Sequence, residues 1–529
     1  MTDRTIDLIV NSRPVVVPDD GASLCEVLRD RLGLTSVKDG CSPQGQCGCC
    51  TVWVDGAPRV SCVTPTRRVR GREITTLEGL DTAGDWAEAL TATGGSQCGF
   101  CTPGIVMRLA GRAAKGEPLD DAATRDALKA HLCRCTGWQT ITEAAVIVGA
   151  GSSARSADAR GGVDAVDGST TALGAGRDRD SAVRRASLEG GAAQSVGSHV
   201  ALGAAGFADD TAPEGALVAV RSADGDWVVA ETLTEARRLA GKVQGRRTTV
   251  APEPPLAVPS GEWDRTLRTS WVEPGYLETD AAWCVPGGEP SSPLANGGAF
   301  GAKVDSDVGA VARRLADEHG RPVRVLFSRE DCVRLGAKRP PLAAGVRADG
   351  TGEIVVARTP GVVEAIAAVA PGLSVTEVDV AGPPTSTAIR GAGWVEAAVL
   401  VSSLRDGPDT VTGPSGVVAT ATVDDDGIRV TVACGDPLDE IVLRSYCIGA
   451  AHMAFSWVTS ERLTVDADGE VQDLTVRSFG IVRAVDTPRI EVTIEAGAGP
   501  AVNGSDAVFA AVAAATWRAR GFPESWPCG

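Results

Sequence analysis

The chain has 529 residues, a net charge of −17 and 43% hydrophobic residues, with few aromatics among many glycines. That length is more than one core serves, so two to four domains are expected, and the acidic balance argues against nucleic acid as a partner. The first residues show neither a basic segment nor an apolar run, and no uncharged apolar stretch reaches membrane-span length; a soluble, cytoplasmic protein without a membrane span is expected.

Residues 5–10 and 14–17 read as short strands turned at Asn11-Ser12. Ser23 and Glu26 form a capping-box pair opening a helix that runs to Leu32, with Gly33 at its end. A glycine-rich cysteine loop follows. Residues 51–54 make a strand, Asp55-Gly56 a tight turn, and 59–63 the returning strand that carries Cys62 back beside Cys50. Residues 1–76 are thus expected to form a β-grasp domain of ferredoxin type. From 77 to 150 the apolar spacing turns helical, over 80–93, 105–115 and 120–132, which suggests two antiparallel helix pairs. Cys98 and Cys101 precede the second helical segment and Cys133 and Cys135 follow the third, so helix pairing would bring both loops to one end. Residues 151–195 are rich in Ala, Gly, Ser, Asp and Arg and read as a flexible linker. Beyond them, interleaved strands and helices (217–220, 227–229, 234–240, 305–319, 323–327, 417–423, 428–432, 463–465, 490–494, 505–518) indicate an α+β region over 196–529. The fold class expected for the whole chain is α+β.

Of the fifteen cysteines, those at 47–50, 98–101 and 133–135 fall in CxxC and CxC pairs, a pattern of metal sites rather than of a disulfide framework. Cys41, Cys47, Cys50 and Cys62 make one candidate quartet. Five residues separate Cys41 from Cys47 and two separate Cys47 from Cys50, one residue more in the first gap than the plant-type C-x4-C-x2-C run. Cys49 is left as a spare that points elsewhere by the alternation of the loop, although it could exchange with Cys50. Cys98, Cys101, Cys133 and Cys135 make the second quartet. Four thiolates satisfy either an iron–sulfur cluster or zinc, and the β-grasp context favours iron–sulfur.

Gly40-Cys41, the run Gly45-Gln46-Cys47-Gly48-Cys49-Cys50-Thr51-Val52 and Ser61-Cys62 resemble the iron–sulfur region of the xanthine dehydrogenase family. The run Gln97 to Gly104 (Gln-Cys-Gly-Phe-Cys-Thr-Pro-Gly) and Leu132-Cys133-Arg134-Cys135-Thr136-Gly137 resemble its second motif still more closely. These are molybdenum hydroxylases. The resemblance spans 5–150 and implies two [2Fe-2S] clusters, the helical one near a molybdopterin and the β-grasp one near a flavin. It also implies that Gln97 and Cys135 lie beside the pterin.

After the linker, short pieces in shared order resemble the molybdenum subunit of the same family: 197–210, 271–278, 297–303, 320–324, 328–331 and 387–393. They imply cofactor contacts at Gly298 and Phe300 and a place beside the metal for Arg390. Yet this region is far shorter than that subunit, and no Gly-Gln-Gly loop appears near Cys434. The Gly-x-Gly-Glu motif, whose glutamate is the family's general base, is replaced by Asn503-Gly504-Ser505-Asp506. Asp506 is one methylene short of that base, and Ser505 or Asp506 could simply cap the last helix. Glu273 and Glu278 read as solvated loop carboxylates, and His131 as a surface helix position.

No Walker loop, Rossmann fingerprint or flavin-binding segment is seen, so no FAD or NAD site is expected here; a separate FAD-binding subunit, and a full molybdenum subunit, are the expected partners. Three readings follow. The preferred one is an electron-transfer component with two [2Fe-2S] clusters and a scaffolding C-terminal region. The others are a molybdopterin-dependent hydroxylase of a heterocycle or aldehyde, and an iron–sulfur redox sensor without turnover.

Overall fold

The computed structural model describes residues 4–157, 177–241, 243, 245, 250–294 and 298–528. The N-terminal sheet has five strands: β1 (Thr5–Val10), β2 (Arg13–Pro18), β3 (Thr51–Val54), β4 (Ala57–Val60) and β5 (Glu73–Thr75), in the order β2-β1-β5-β3-β4. Strict alternation along β1 puts Ile6, Leu8 and Val10 inside, as a half-buried strand requires. β1 and β2 are antiparallel with Val10 opposite Arg13, so the link is Asn11-Ser12, both left-handed at φ 49° and 63°. In the β3–β4 hairpin Thr51 pairs with Val60, which sets Cys50 and Ser61 side by side.

Ser23 caps the next helical segment, its Oγ accepting from the Glu26 amide at 3.2 Å. The reciprocal half of the expected capping box is missing. Glu26 instead accepts from the Thr234 amide and hydroxyl in the C-terminal half, at 3.1 and 2.5 Å. After Glu26 the chain widens into a π-helical turn over Val27–Arg31.

Helices Ala83–Thr93, Thr102–Ala113, Asp121–Leu128 and Gln139–Ala157 follow. Asp120 caps the third, and Gly94 ends the first with φ 72°. Helix Thr102–Ala113 lies on β3: the Trp53 indole donates to the Met107 carbonyl at 2.7 Å.

The expectation of a flexible linker over 151–195 is corrected at both ends. Helix Gln139–Ala157 runs into it, and Arg179–Gly190 is a further helix, packed on the long helix Glu440–Thr459. Residues 158–176 of that segment lie outside the described residues. The physical reason is polar anchoring. Arg185 is fully buried and bonds Glu189 and the carbonyls of Pro437, Asp436 and Val502. A composition poor in large apolar residues therefore still docks.

Among the described residues, the C-terminal region carries three four-stranded sheets, each combining parallel and antiparallel neighbours. The largest core element is the pair of helices Glu440–Thr459 and Ser505–Ala519. The first is long and apolar enough to cross a membrane by length and composition, but 83% of its most apolar window is buried inside the protein. It is a core helix with no solvent face, where Val442 to Thr459 is nearly continuous burial. The mixture of sheets and helices is the α+β class.

Ion pairs hold the two halves together. Arg29 bonds Asp209 and Asp210 at 2.6 and 2.9 Å, Lys38 bonds Asp210, and Arg324 reaches both Asp30 and Asp209. Arg29, Lys38 and Arg324 are all buried, so each needs these partners to offset the loss of hydration.

Candidate metal centres

All fifteen cysteines are free thiols, and the eight proposed from spacing are all buried. Cys41 and Cys47 lie in the loop before β3, Cys50 directly precedes β3, and Cys62 follows β4. The hairpin register closes the set: the Ser61 amide donates to the Cys50 carbonyl at 3.1 Å and the Cys62 amide to Cys50 Sγ at 3.4 Å. Cys41 Sγ accepts from the amides of Gln44 and Gln46 at 3.3 and 3.4 Å. Gly45 and Gly48 take φ of 69° and 79°, which lets the loop wrap inward. The Cys41 thiol is bonded to those of Cys47 and Cys62, and Cys62 in turn to Cys50. The two bonds from Cys47 and Cys62 hold Cys41 well below the usual thiol range, while Cys47 and Cys62 are pushed well above it. Donor atoms of Asp39, Cys41 and Cys62 lie within 4.8 Å of one another.

Cys49 does not point away from the quartet. It is buried, and its thiol bonds Cys47. That bond lowers its pKa, yet burial and the neighbouring Cys41 and Cys50 leave it raised overall.

Cys98 and Cys101 sit in the loop that opens helix Thr102–Ala113, and Cys133 and Cys135 in the loop before Gln139–Ala157. The sulfurs of Cys135 and Cys98 are 3.4 Å apart, and Cys101 bonds Cys133. The Cys101 bond and the Thr136 hydroxyl at 3.1 Å bring Cys133 down to about 6. Gly99 and Gly137 both have positive φ, 81° and 60°.

The two sets stand back to back. The Leu132 amide donates to the Cys47 carbonyl at 2.9 Å, and a Cβ on Gly104 would lie 2.4 Å from the Gly48 carbonyl. His131 is buried between them, not on a surface helix; its ring covers Gly48 and approaches Thr51 Oγ1 at 3.4 Å. Burial and nearby arginines lower it to about 4.

Crowded thiols that trade protons among themselves are what a metal replaces, because thiolates ligate and a cation removes the protons. The donor chemistry and its grouping fit two thiolate-held centres.

The C-terminal half packs directly on the second set. Gln97 Nε2 donates to the Cys135 carbonyl at 3.1 Å and to Ser445 Oγ at 2.9 Å. A Cβ on Gly298 would lie 3.0 Å from Cys98 Sγ, and one on Gly449 would lie 1.7 Å from the Cys135 carbonyl. Gln97, Cys135 and Gly298 are thus together. Phe300, Arg390 and Asp506 form a second group. Arg390 Nε donates to Asp506 at 3.0 Å and Nη2 to Ser505 at 2.7 Å, with its guanidinium over the Phe300 ring at 4.5 Å.

Spacing did not reveal Glu189. Its carboxylate accepts from the amides of Gly504 and Ser505 at 3.0 and 2.9 Å, at the start of helix Ser505–Ala519. Asn503 Oδ1 accepts from the Asp506 amide at 3.0 Å. The last helix is therefore capped by Asn503 and Glu189, not by the Ser505 or Asp506 side chain. Glu273 and Glu278, expected in solvent, are buried and paired with Lys338 at 3.0 Å and Lys303 at 2.5 Å. Burial pushes Glu278 up to about 7.

A pterin needs far more room than these groups leave. The cavity that Gln97 lines, closed by Gln194, Tyr446 and Arg177, holds about 20 Å³. The one beside Cys98, Cys135 and Gly298 holds about 10 Å³. Each suits at most a water molecule. Among the described residues, the side chains around Gln97 and Cys135 do not fit a molybdopterin as they stand.

The family model for a [2Fe-2S] binding domain matches residues 76–146. The xanthine dehydrogenase iron-sulfur-binding subunit of Escherichia coli O157:H7 is 43% identical over 145 residues, 26% of this chain and 89% of that subunit. The aldehyde oxidoreductase of Megalodesulfovibrio gigas is 41% identical over 132 residues, 24% of this chain and 14% of that enzyme. In overall fold the chain is similar to the crystal structure of the aldehyde oxidoreductase from Desulfovibrio desulfuricans ATCC 27774, with a TM-score of 0.70 at 14% identity, covering 99% of both chains. That likeness concerns the fold alone. The family model falls on the segment that carries the second thiol set, and by these sequence matches the chain belongs to the xanthine dehydrogenase family, as an iron–sulfur protein of the xanthine dehydrogenase and aldehyde oxidoreductase type.

Proposed function

We propose that the chain is an electron-transfer component with two [2Fe-2S] clusters, one on Cys41, Cys47, Cys50 and Cys62 and the other on Cys98, Cys101, Cys133 and Cys135. The observation that carries this reading is the pair of buried thiol sets in contact through the Leu132–Cys47 hydrogen bond. Each cluster would supply one-electron storage. The chain's own residues hold the thiolates, exclude water and fix the spacing between the sets. In this reading 1–76 is the β-grasp domain, 77–150 the helical domain, and 196–529 a reduced relative of a molybdenum subunit that serves as scaffold.

The E. coli relative is named as one subunit of xanthine dehydrogenase, and others are named as subunits of caffeine dehydrogenase and isoquinoline 1-oxidoreductase. We accordingly propose that this chain works with a separate FAD-binding subunit and with a full molybdenum subunit.

A second reading, an active molybdopterin-dependent hydroxylase, draws support from the meeting of Arg390, Phe300 and Asp506. Against it stand the filled space at Gln97 and the pairing of Asp506 with Arg390, which ties up the only carboxylate offered as general base.

Electron paramagnetic resonance of the dithionite-reduced protein tests the proposal. Two distinguishable signals are expected, with Cys62→Ser removing one and Cys133→Ser the other. A single signal lost in both variants would refute the assignment.

A further inference from the structure

Away from Gln97, a cavity of about 420 Å³ opens between the end of helix Glu440–Thr459, residues 476–486 and the end of the last helix. This is within the range of roughly 300–1,000 Å³ that small-molecule sites occupy. Leu132, Ile481 and Val482 are buried and Phe455 half-buried, and together they give it an apolar lining. Exposed Arg477, Arg483 and Arg520 stand around it, opposed by one carboxylate, Asp486.

Arg483 is already paired with Asp486 at 2.7 Å. Arg477 donates to the carbonyls of Gln46 and Ala130, at 3.1 and 2.7 Å, which orients its guanidinium without cancelling its charge. Among the described residues no carboxylate lies within ion-pair distance of Arg477 or Arg520. In a chain of net charge −17, two uncompensated guanidinium groups over an apolar hollow run against the general composition.

The wall is tied to both cysteine segments through Leu132 and Arg477. Leu132 precedes Cys133 and donates its amide to the Cys47 carbonyl, while Arg477 ties Gln46 to Ala130. The cavity is thereby fixed in shape by the same backbone that positions the two thiol sets.

We propose that this cavity is a binding site for a small organic anion: an apolar body seated on Leu132, Phe455, Ile481 and Val482, with a carboxylate, sulfonate or phosphate group held by Arg477 and Arg520. Guanidinium groups suit such acidic heads because their planar N–H pairs match two oxygens at once. A bare inorganic anion would gain the charge but leave the apolar floor wet.

The test uses the purified full-length protein and two fluorescent probes with the same rings, 8-anilinonaphthalene-1-sulfonate and uncharged N-phenyl-1-naphthylamine. The sulfonate should bind saturably, at one site per chain, about tenfold or more tighter than its uncharged parent, since a hydrogen bond to a charged group is worth that much. Arg520→Gln should cut the sulfonate affinity by about tenfold while leaving N-phenyl-1-naphthylamine unchanged, and Arg520→Lys should retain part of it. Arg520 is exposed, so these variants fold, which an unchanged absorbance spectrum and unfolding temperature would verify. Equal affinity for the two probes, or an Arg520→Gln protein that binds the sulfonate as the parent does, would overturn the proposal.

Discussion

Arg134, which stands between Cys133 and Cys135, grips Glu461 with both arms of its guanidinium, at 2.5 and 2.7 Å, and both side chains are buried. Its Nε also donates to the Pro274 carbonyl at 2.8 Å. The loop carrying the second thiol set is thus bolted to the C-terminal half by a charge pair with no access to water. Replacing Glu461 by Gln leaves Arg134 buried without its counter-charge, a loss of about 3–5 kcal/mol. Thermal unfolding should show the full effect, with a far smaller one for Arg314→Gln on the exposed pair with Glu318. Equal effects for the two variants would contradict the role given to this pair.

Cys49 is bonded to Cys47, but of the adjacent Cys49 and Cys50 it is Cys50 that is tied to Cys62, through the amide at 3.4 Å and the thiol bond. Cys49→Ser should therefore keep the iron of the wild-type protein, and Cys50→Ser should lose about half. Metal analysis of the two purified variants reads this directly. The reverse pattern would exchange their roles.

Gly449 touches the Cys135 carbonyl so closely that an added Cβ would lie 1.7 Å from its oxygen, a backbone atom that cannot swing aside. Gly449→Ala must push helix Glu440–Thr459 off the second thiol loop. A loss of roughly 1–3 kcal/mol is expected from such overpacking, together with a changed resonance signal from the helical cluster and an unchanged one from the β-grasp cluster. A change confined to the β-grasp signal would contradict this arrangement.

His452 is fully buried, with its ring nitrogen 3.1 Å from the Val482 carbonyl. Burial, reinforced by Arg134, lowers it from 6.5 to about 3. In the unfolded chain the ring takes up a proton near pH 6.5, whereas in the fold it stays neutral. Its contribution is present above pH 6.5 and is lost as the pH falls toward 3. Between pH 7 and 5 the wild-type protein should lose about 2 kcal/mol more stability than His452→Gln. Denaturant titrations at the two pH values measure the difference, and parallel losses would exclude it.

The N-terminal 150 residues were legible because their chemistry is local. Cysteine spacing, the Asp55-Gly56 turn and the alternation Ile6, Leu8, Val10 each carry structure on a few neighbouring residues. Helix Arg179–Gly190 escaped because it docks by Arg185 and Glu189 rather than by apolar side chains, so its composition imitates a linker. Helix Glu440–Thr459 was missed for the opposite reason. Buried on all sides, it shows no amphipathic stripe to read. The strand expected over 463–465 reduces to an isolated bridge between Val465 and Val471. At the site, the eight cysteines stood out by type and spacing, whereas the burial of Glu273 and Glu278 depends on Lys338 and Lys303, 65 and 25 residues away in sequence.

The proposed pair of clusters is tested most directly by iron and acid-labile sulfide measured on the protein as purified. About four irons and about four sulfides per chain are expected, with zinc in trace amounts. Stoichiometric zinc without sulfide, or about two irons per chain, would contradict the account.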